Sequence, residues 1–503
     1  MSERIANDTF RQKIMSASDA AALIKNGMNL GFSGFTGSGY PKALPVALAE
    51  QIKEAHARGE EFTVGVWTGA STAPELDGEL ADAKGVSYRM PYQSDPSMRH
   101  AINSGESYYQ DIHLSHVAPN VTAGFFGKLD VAVIEVSSIT AEGELVPSSS
   151  LGLNRTYLDY ADKVILEVNE WQSVDLYGMH DVYYPVGNAP GSRVPIPLTR
   201  ASDRIGGKTL HVDPEKVIAV IVTDAGDRNS PFKAADEDSK AIANHFLDFL
   251  GNEVKQGRLG KNLLPLQSGV GNIANAVLAG LLEGPFDQLE SYTEVIQDGM
   301  VDLLDSGKLT VASATAFSLS PDAAKKVNDQ ARKYRDLIIL RPQDVSNHPE
   351  VIRRLGAIAC NGMIEADIYG NVNSTHVMGS AVMNGIGGSG DFARNAYLNF
   401  FLTPSTAKDG AISTIVPMVS HVDHTEHDVH VLVTEHGLAD LRGLSPRARS
   451  EKIIANCAHP DFRPRLRDYF ERALAARPDA RHTPHLMGEA LSWHQRFLDT
   501  GRM

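Results

Sequence analysis

The chain has 503 residues, enough for two to four domains, and its 42% hydrophobic and 22% charged content fits soluble domains with sizeable cores. A formal charge of −15 argues against nucleic acid as the main partner, so any anionic ligand must be held by local basic groups and backbone amides. Two cysteines, Cys360 and Cys457, give no disulfide framework; no apolar run reaches membrane-spanning length, and the opening MSERIANDTFRQKIMSA lacks an apolar signal core, so a cytoplasmic enzyme is expected.

In chain order, short apolar runs alternate with helical patterns. Strands are expected at 62–67, 131–136, 164–168, 217–222, 309–312, 337–340, 413–416 and 429–433. A helix is expected over 240–254, where Ile242, Phe246, Phe249 and Leu250 share one face and the acids of 236–238 sit near the positive end of the dipole. This alternation implies an α/β fold with mostly parallel sheets. After Arg442 the chain turns helical and rich in Arg and His; Arg447, Arg449, Arg463, Arg465 and Arg467 fit a solvated helical cap with ion pairs.

The two halves echo each other. SGFTGSGYPK (33–42) is answered by SGVGN (268–272), TVGVWTG (63–69) by TEVIQDG (293–299), and GELVPSSSLG (143–152) by GNVNSTHVMG (370–379), at offsets near 230 residues. We read two tandem related domains, 1–225 and 226–503, joined by the polar segment around 223–235. In this register Glu294 faces Val64 of the first copy. Glu294 lies in a β-branched and aromatic stretch ending in an expected Asp-Gly turn, where carboxylates are depleted. A solvent-facing edge strand would explain it. Its absence from the first copy points instead to function, and carboxylates serve as nucleophiles in covalent catalysis.

Other candidates lie at loops. NGIGGSGDF (384–392) packs four glycines into six residues, with the wrong spacing for a dinucleotide fingerprint and the right composition for an oxyanion-binding loop. SGVGN opens a helix, whose first N–H groups suit phosphate or carboxylate. The matching loop at 34–39 could do the same, with Tyr40, Pro41 and Lys42 forming a substrate-facing turn. RPQDVSN (341–347) follows a strand end, where α/β sheets bind ligands, and Asn347 offers an amide donor or a helix cap. His421, His424, His427 and His430 do not repeat a known metal-ligand spacing, so no metal is expected; Glu435 is a modest candidate at a strand end.

SGVGN, TEVIQDG, QDVSN, NGMIEADIYGNVNST, NGIGGSGDF and VTEHGLADLRG, in this order, resemble the acetyl-CoA hydrolase/transferase family of class I CoA-transferases along essentially the whole chain. The resemblance implies two CoA-transferase-fold domains. It implies that Glu294 is a nucleophile forming a γ-glutamyl-CoA thioester, with Asn347 and the Gly388 N–H as oxyanion hole. It implies CoA contacts from Gly269, Val270, Gly271, Asn272, Ile273, Ile364, Asn384, Gly388 and Lys408, with Arg228 a less certain carboxylate or CoA contact. The reaction implied takes succinyl-CoA and acetate to acetyl-CoA and succinate beside the tricarboxylic acid cycle. CoA is then a substrate, no cofactor stays bound, and a homodimer without membrane or nucleic-acid partners is expected. Hydrolysis of acetyl-CoA, transfer to propionate or 4-hydroxybutyrate, and a non-catalytic acyl-CoA or sugar-phosphate sensing module are the alternatives.

Overall fold

The β-branched runs become strands because their side chains pack on both faces of parallel sheets. The computed structural model describes residues 2–186, 190–229, 234–476 and 482–503, so residues 230–233 of the expected linker lie outside the described residues. The chain is α/β with mostly parallel sheets and three helices near its end, Pro446–Asn456, Arg463–Ala476 and Ser492–Thr500. It forms two compact units, one from residues 1–232 with 290–355, the other from 233–289 with 356–503. Compactness therefore divides the chain differently from its tandem sequence halves.

In the first unit the strands run in the order Val217–Thr223, Lys163–Asn169, Val131–Ile139, Asn29–Phe32, Val64–Trp67, Val86–Met90, Tyr108–Tyr109. Each neighbouring pair is parallel. The order reverses between Asn29–Phe32 and Val131–Ile139, the place where open sheets of this kind leave a crevice. The chain fills that crevice itself. Lys42 is buried, with Nζ 2.6 Å from Glu135 Oε2 and 3.1 Å from Asp227 Oδ1. Glu167 accepts the backbone N–H groups of Lys42, Ala43 and Leu44, capping the helix Leu44–Ala57 from a neighbouring strand. Tyr40 is buried too, its hydroxyl donating to Glu75 Oε2 at 2.9 Å. The expected substrate-facing turn at 40–42 is thus corrected: Lys42 is committed to buried acids.

The same unit holds the strands Leu309–Ala314 and Ile338–Leu340, paired in parallel, with Leu289–Tyr292 next in order. Two two-residue strand pairs flank this region, Phe35–Thr36 with Ala70–Ser71 and Val295–Ile296 with Ala316–Phe317. Phe35, Ala70, Leu114, Val295 and Ala316 form one small apolar cluster.

In the second unit the parallel order is Leu266–Ser268, Ile358–Gly362, Leu398–Leu402, Val431–Thr434, closed by antiparallel Gly437–Asp440. The helix Glu237–Lys255 buries Ile242, Phe246 and Leu250, and Asp236 caps it by accepting the Ser239 N–H at 2.8 Å. Phe246 and Phe249 meet Phe400 edge-on at 4.6 and 5.4 Å, contacts worth about 0.5–1.5 kcal/mol each. Ile453, Cys457, Leu466, Phe470 and Trp493 pack the C-terminal helices into this unit's core. Arg472 pairs with Asp468 and Glu489, and Arg465 stacks over Trp493. The expected strand at 413–416 is split into Ile412–Ser413 and Ile415–Val416, because Ser413 Oγ bonds its own chain at Ile415 O and Thr414 N turns to Ser405 O. Among the described residues no helix is long and apolar enough to cross a membrane.

Candidate active site

Glu294 is not inside a strand. The strand Leu289–Tyr292 stops two residues earlier, Glu294 sits on a bend, and Val295–Ile296 resumes. The expected Asp-Gly turn is instead the start of the helix Asp298–Asp305. Extended chain breaks here because the backbone bonds change partner. Thr293 N donates to Ser313 O at 2.9 Å, while Glu294 O accepts from Thr315 N at 2.9 Å and Ala316 N at 3.2 Å. The bend leaves the Glu294 side chain half-buried while its neighbours Thr293 and Val295 are buried.

Asn347 meets it. Its Nδ2 donates to Glu294 Oε1 at 2.9 Å, and Asn347 is fully buried. It ends the short helix Gln343–Ser346, and Ser346 Oγ lies 2.9 Å from Asn347 Oδ1, which orients the amide with its NH₂ toward the acid. That helix is held at three points. Gln343 N donates to Gly152 O, the Gln343 side-chain amide to Leu114 O, and Tyr292 OH to Val345 O at 2.6 Å. Upstream, the buried Arg341 guanidinium bonds Ser313 Oγ at 2.7 Å, Ala201 O at 3.0 Å and the Asp181 carboxylate. Thr315 Oγ1 donates to Arg341 O at 2.8 Å, coupling the strand ends that carry Glu294 and Asn347.

A carboxylate fixed by an amide donor is equipped for acyl transfer. If its second oxygen is acylated, and that acyloxy group then displaced by a thiol sulfur, the amide can stay on the carbonyl oxygen, where charge collects during attack. The register of the two copies needs correcting. Val64–Trp67, Thr68, Gly69 and Ala70–Ser71 correspond to Leu289–Tyr292, Thr293, Glu294 and Val295–Ile296. Thr68 N donates to Met90 O as Thr293 N does to Ser313 O. Glu294 therefore matches Gly69, not Val64.

The glycine loops lie in the second unit. A cavity of about 290 Å³ opens at the carboxyl ends of three of its parallel strands, lined by Gly269, Val270, Asn272, Ile273, Cys360, Asn361, Gly362 and Leu402 among others. Gly271 (φ +116°) begins the helix Asn272–Glu283 without a capping side chain, so the first turn facing the cavity has no acid of its own. Gly388 begins the helix Ser389–Asn395 and is buried, and Gly387 before it takes φ +57°. Asn384 and Ile364 are half-buried. Lys408 is exposed, its Nζ 5.1 Å over the Phe497 ring. Ile364, Asn384, Gly388 and Lys408 do not line the 290 Å³ cavity.

Other candidates have local partners. Both Glu435 oxygens engage Ser405, one accepting its N–H at 2.7 Å and the other its hydroxyl, so Glu435 braces that turn. Arg228 is in the first unit, two-thirds exposed, with Nε 2.8 Å from Glu75 Oε1. The histidines diverge: His421 lies 3.4 Å from Asp423, His424 Nε2 is 3.2 Å from Ser389 Oγ, His430 faces Asn399, and His427 is exposed. Among the described residues no group of three or more His, Cys, Asp or Glu is placed to hold a metal. Tyr292, Thr315 and Asp181 were missed by sequence reasoning. Their partners are distant in the chain, and nothing local marks them.

Comparison with known proteins gives concordant results. Residues 1–222 match the acetyl-CoA hydrolase/transferase N-terminal domain and 324–470 the corresponding C-terminal domain. A succinyl-CoA:acetate CoA-transferase of Clostridium kluyveri is 50% identical over 501 residues, covering 100% of this chain and 92% of the relative. An acetyl-CoA hydrolase of Candida albicans is 42% identical over 516 residues, covering 100% and 98%. In fold, a 4-hydroxybutyrate CoA-transferase from Porphyromonas gingivalis superposes with TM-score 0.62 at 22% identity, covering 92% of this chain and 98% of that one.

Proposed function

The chain belongs to the acetyl-CoA hydrolase/transferase family, and from that premise we propose that it moves CoA from succinyl-CoA to acetate through a thioester on Glu294. The observation that carries the reading is the 2.9 Å contact from Asn347 Nδ2 to the half-buried Glu294 carboxylate.

Glu294 attacks the succinyl-CoA carbonyl, and the tetrahedral oxyanion collapses to a mixed anhydride with expulsion of CoA thiolate. The thiolate attacks the Glu294 carbonyl and expels succinate, leaving the glutamyl-CoA thioester. Acetate then attacks that thioester, and the thiolate it releases takes the acetyl group, returning Glu294 as carboxylate. Each half passes through oxyanions. Asn347 and the Gly388 N–H are the donors of the oxyanion hole in this reading. CoA is held by the second unit, with Gly269, Val270, Gly271, Asn272 and Ile273 offering backbone and a helix N-terminus to its phosphates, and Ile364, Asn384 and Lys408 adding contacts. Arg228, two-thirds exposed beside Glu75, and Glu435 are the less certain substrate contacts. We take the duplicated domains to divide near 225/226 and the enzyme to work as a cytoplasmic homodimer.

The relative that hydrolyses acetyl-CoA keeps a second reading open, in which water replaces acetate. CoA release from succinyl-CoA with and without acetate decides between them. Transfer predicts acetyl-CoA and succinate in equal amounts, only when acetate is present and with no free CoA; free CoA appearing at the same rate without acetate would make the enzyme a hydrolase. Propionate and 4-hydroxybutyrate in place of acetate test the choice of acid.

A further inference from the structure

The turn that matches Glu294 in the first copy is occupied by another part of the site. A Cβ placed on Gly69 would lie 2.6 Å from Gln343 Oε1 and 3.1 Å from Gly34 O. Gln343 thus packs against the bare backbone at the position where the second copy carries its acid. Gln343 is fully buried, and every other polar group on it has a task. Its N–H donates to Gly152 O at 2.8 Å, its side-chain NH₂ donates to Leu114 O at 3.1 Å, and its carbonyl accepts the Asn347 N–H at 2.9 Å. Its Oε1 alone has no hydrogen-bond partner among the described residues.

An unpaired buried acceptor costs stability, and an aliphatic side chain of the same length would avoid it. The amide is kept where its other end fixes the helix that carries Asn347. Gly152 extends the connection, because its N–H donates to Thr315 Oγ1 at 3.1 Å and Thr315 N donates to Glu294 O. Gln343 therefore links the bare turn at Gly69 directly to Asn347, and to Glu294 through Gly152 and Thr315.

We propose that Gln343, seated against Gly69, is the positioning residue that holds the Asn347 amide on Glu294, and that Gly69 is bare so that Gln343 can seat. This rests on the acyl-transfer reading of Glu294 and Asn347. Gln343 touches no reacting atom; it acts through Asn347. A methyl group at position 69 displaces the flexible end of Gln343, so Gly69→Ala and Gln343→Ala disturb the same contact from its two sides.

The test is a set of mutant cycles on the full-length enzyme, read as kcat and KM for succinyl-CoA with acetate as acceptor. Gly69→Ala and Gln343→Ala are each expected to lower kcat about tenfold or more at little-changed KM, since small misplacements at a reacting centre cost this much. The double variant is expected to be no slower than the slower single. In an Asn347→Ala background Gln343→Ala is expected to add nothing. An equal further loss in that background, or unchanged kcat in Gln343→Ala, overturns the proposal. The crystal structure of Gln343→Ala gives a readout independent of turnover. Separation of Asn347 Nδ2 from Glu294 Oε1 beyond hydrogen-bond reach is expected, and a retained 2.9 Å contact would overturn the proposal whatever the enzyme's substrate. If Asn347→Ala itself leaves turnover intact, the acyl-transfer reading fails instead.

Discussion

The turn at Thr68 and Gly69 and the turn at Thr293 and Glu294 are built alike and used differently. Each follows a largely buried four-residue strand, each threonine N–H bonds the neighbouring strand, and each leads into a two-residue parallel pair. One carries a carboxylate with an amide on it; the other carries no side chain and takes the tip of Gln343. The fold therefore asks for the bend, not for the acid. The related domains supply the same bend twice, and in the proposed mechanism only one of the two carries the reacting acid.

The largest effect expected from breaking this comparison is at the acid. Glu294→Ala makes the second turn chemically like the first, and steady-state assays should show transfer falling by about 10⁴-fold or more, because the covalent route is lost. Unfolding should remain cooperative, since Gly69 shows that the bend tolerates the missing side chain. Asn347→Ala should cost about 10²–10³ in kcat, the usual loss for one oxyanion donor. A loss confined to KM would place Asn347 in ground-state binding instead.

A smaller effect contrasts Glu294 with the acids of the first copy. Glu135 is buried beside Lys42, and burial pushes its carboxyl up to about 7, Lys42 only partly offsetting this while Asp227 adds to it. The native state then holds this proton more tightly than the unfolded chain, whose carboxyl titrates near 4.5. Its contribution to stability is present below about pH 4.5 and is lost as pH rises through about 7. Denaturant unfolding of Glu135→Gln from pH 4 to 8 should show that slope removed; an unaltered slope would assign it to another group. The smallest effect is at sulfur. Burial pushes both thiols up, Cys457 to about 12, so a brief alkylation of the native protein should leave mass and activity unchanged. Labelling of Cys360, beside the second unit's cavity, would contradict this.

Much of this was legible in the sequence. Hydrophobic runs marked most strands, the acid in an apolar stretch marked Glu294, and the position after a strand end marked Asn347. The pairing of copies was misread because the connection from the Ser-Gly loop to the threonine is roughly ten residues shorter in the second copy, so a single offset set Glu294 against Val64. Lys42 read as a ligand-facing base because sequence does not show that Glu135 and Asp227 converge on it. The Gln343 contact was invisible for the same reason. It is made by groups far apart in the chain, one of them a glycine with no side chain to notice.

The central claim is that Glu294 becomes covalently bound to CoA, and intact-protein mass spectrometry after incubation with succinyl-CoA alone tests it most directly. The account predicts a mass gain of one CoA less water, located on the peptide carrying Glu294, removed by acetate or borohydride, and absent from Glu294→Ala. An unmodified wild-type mass while the enzyme turns over normally, or the same adduct on the alanine variant, would contradict it.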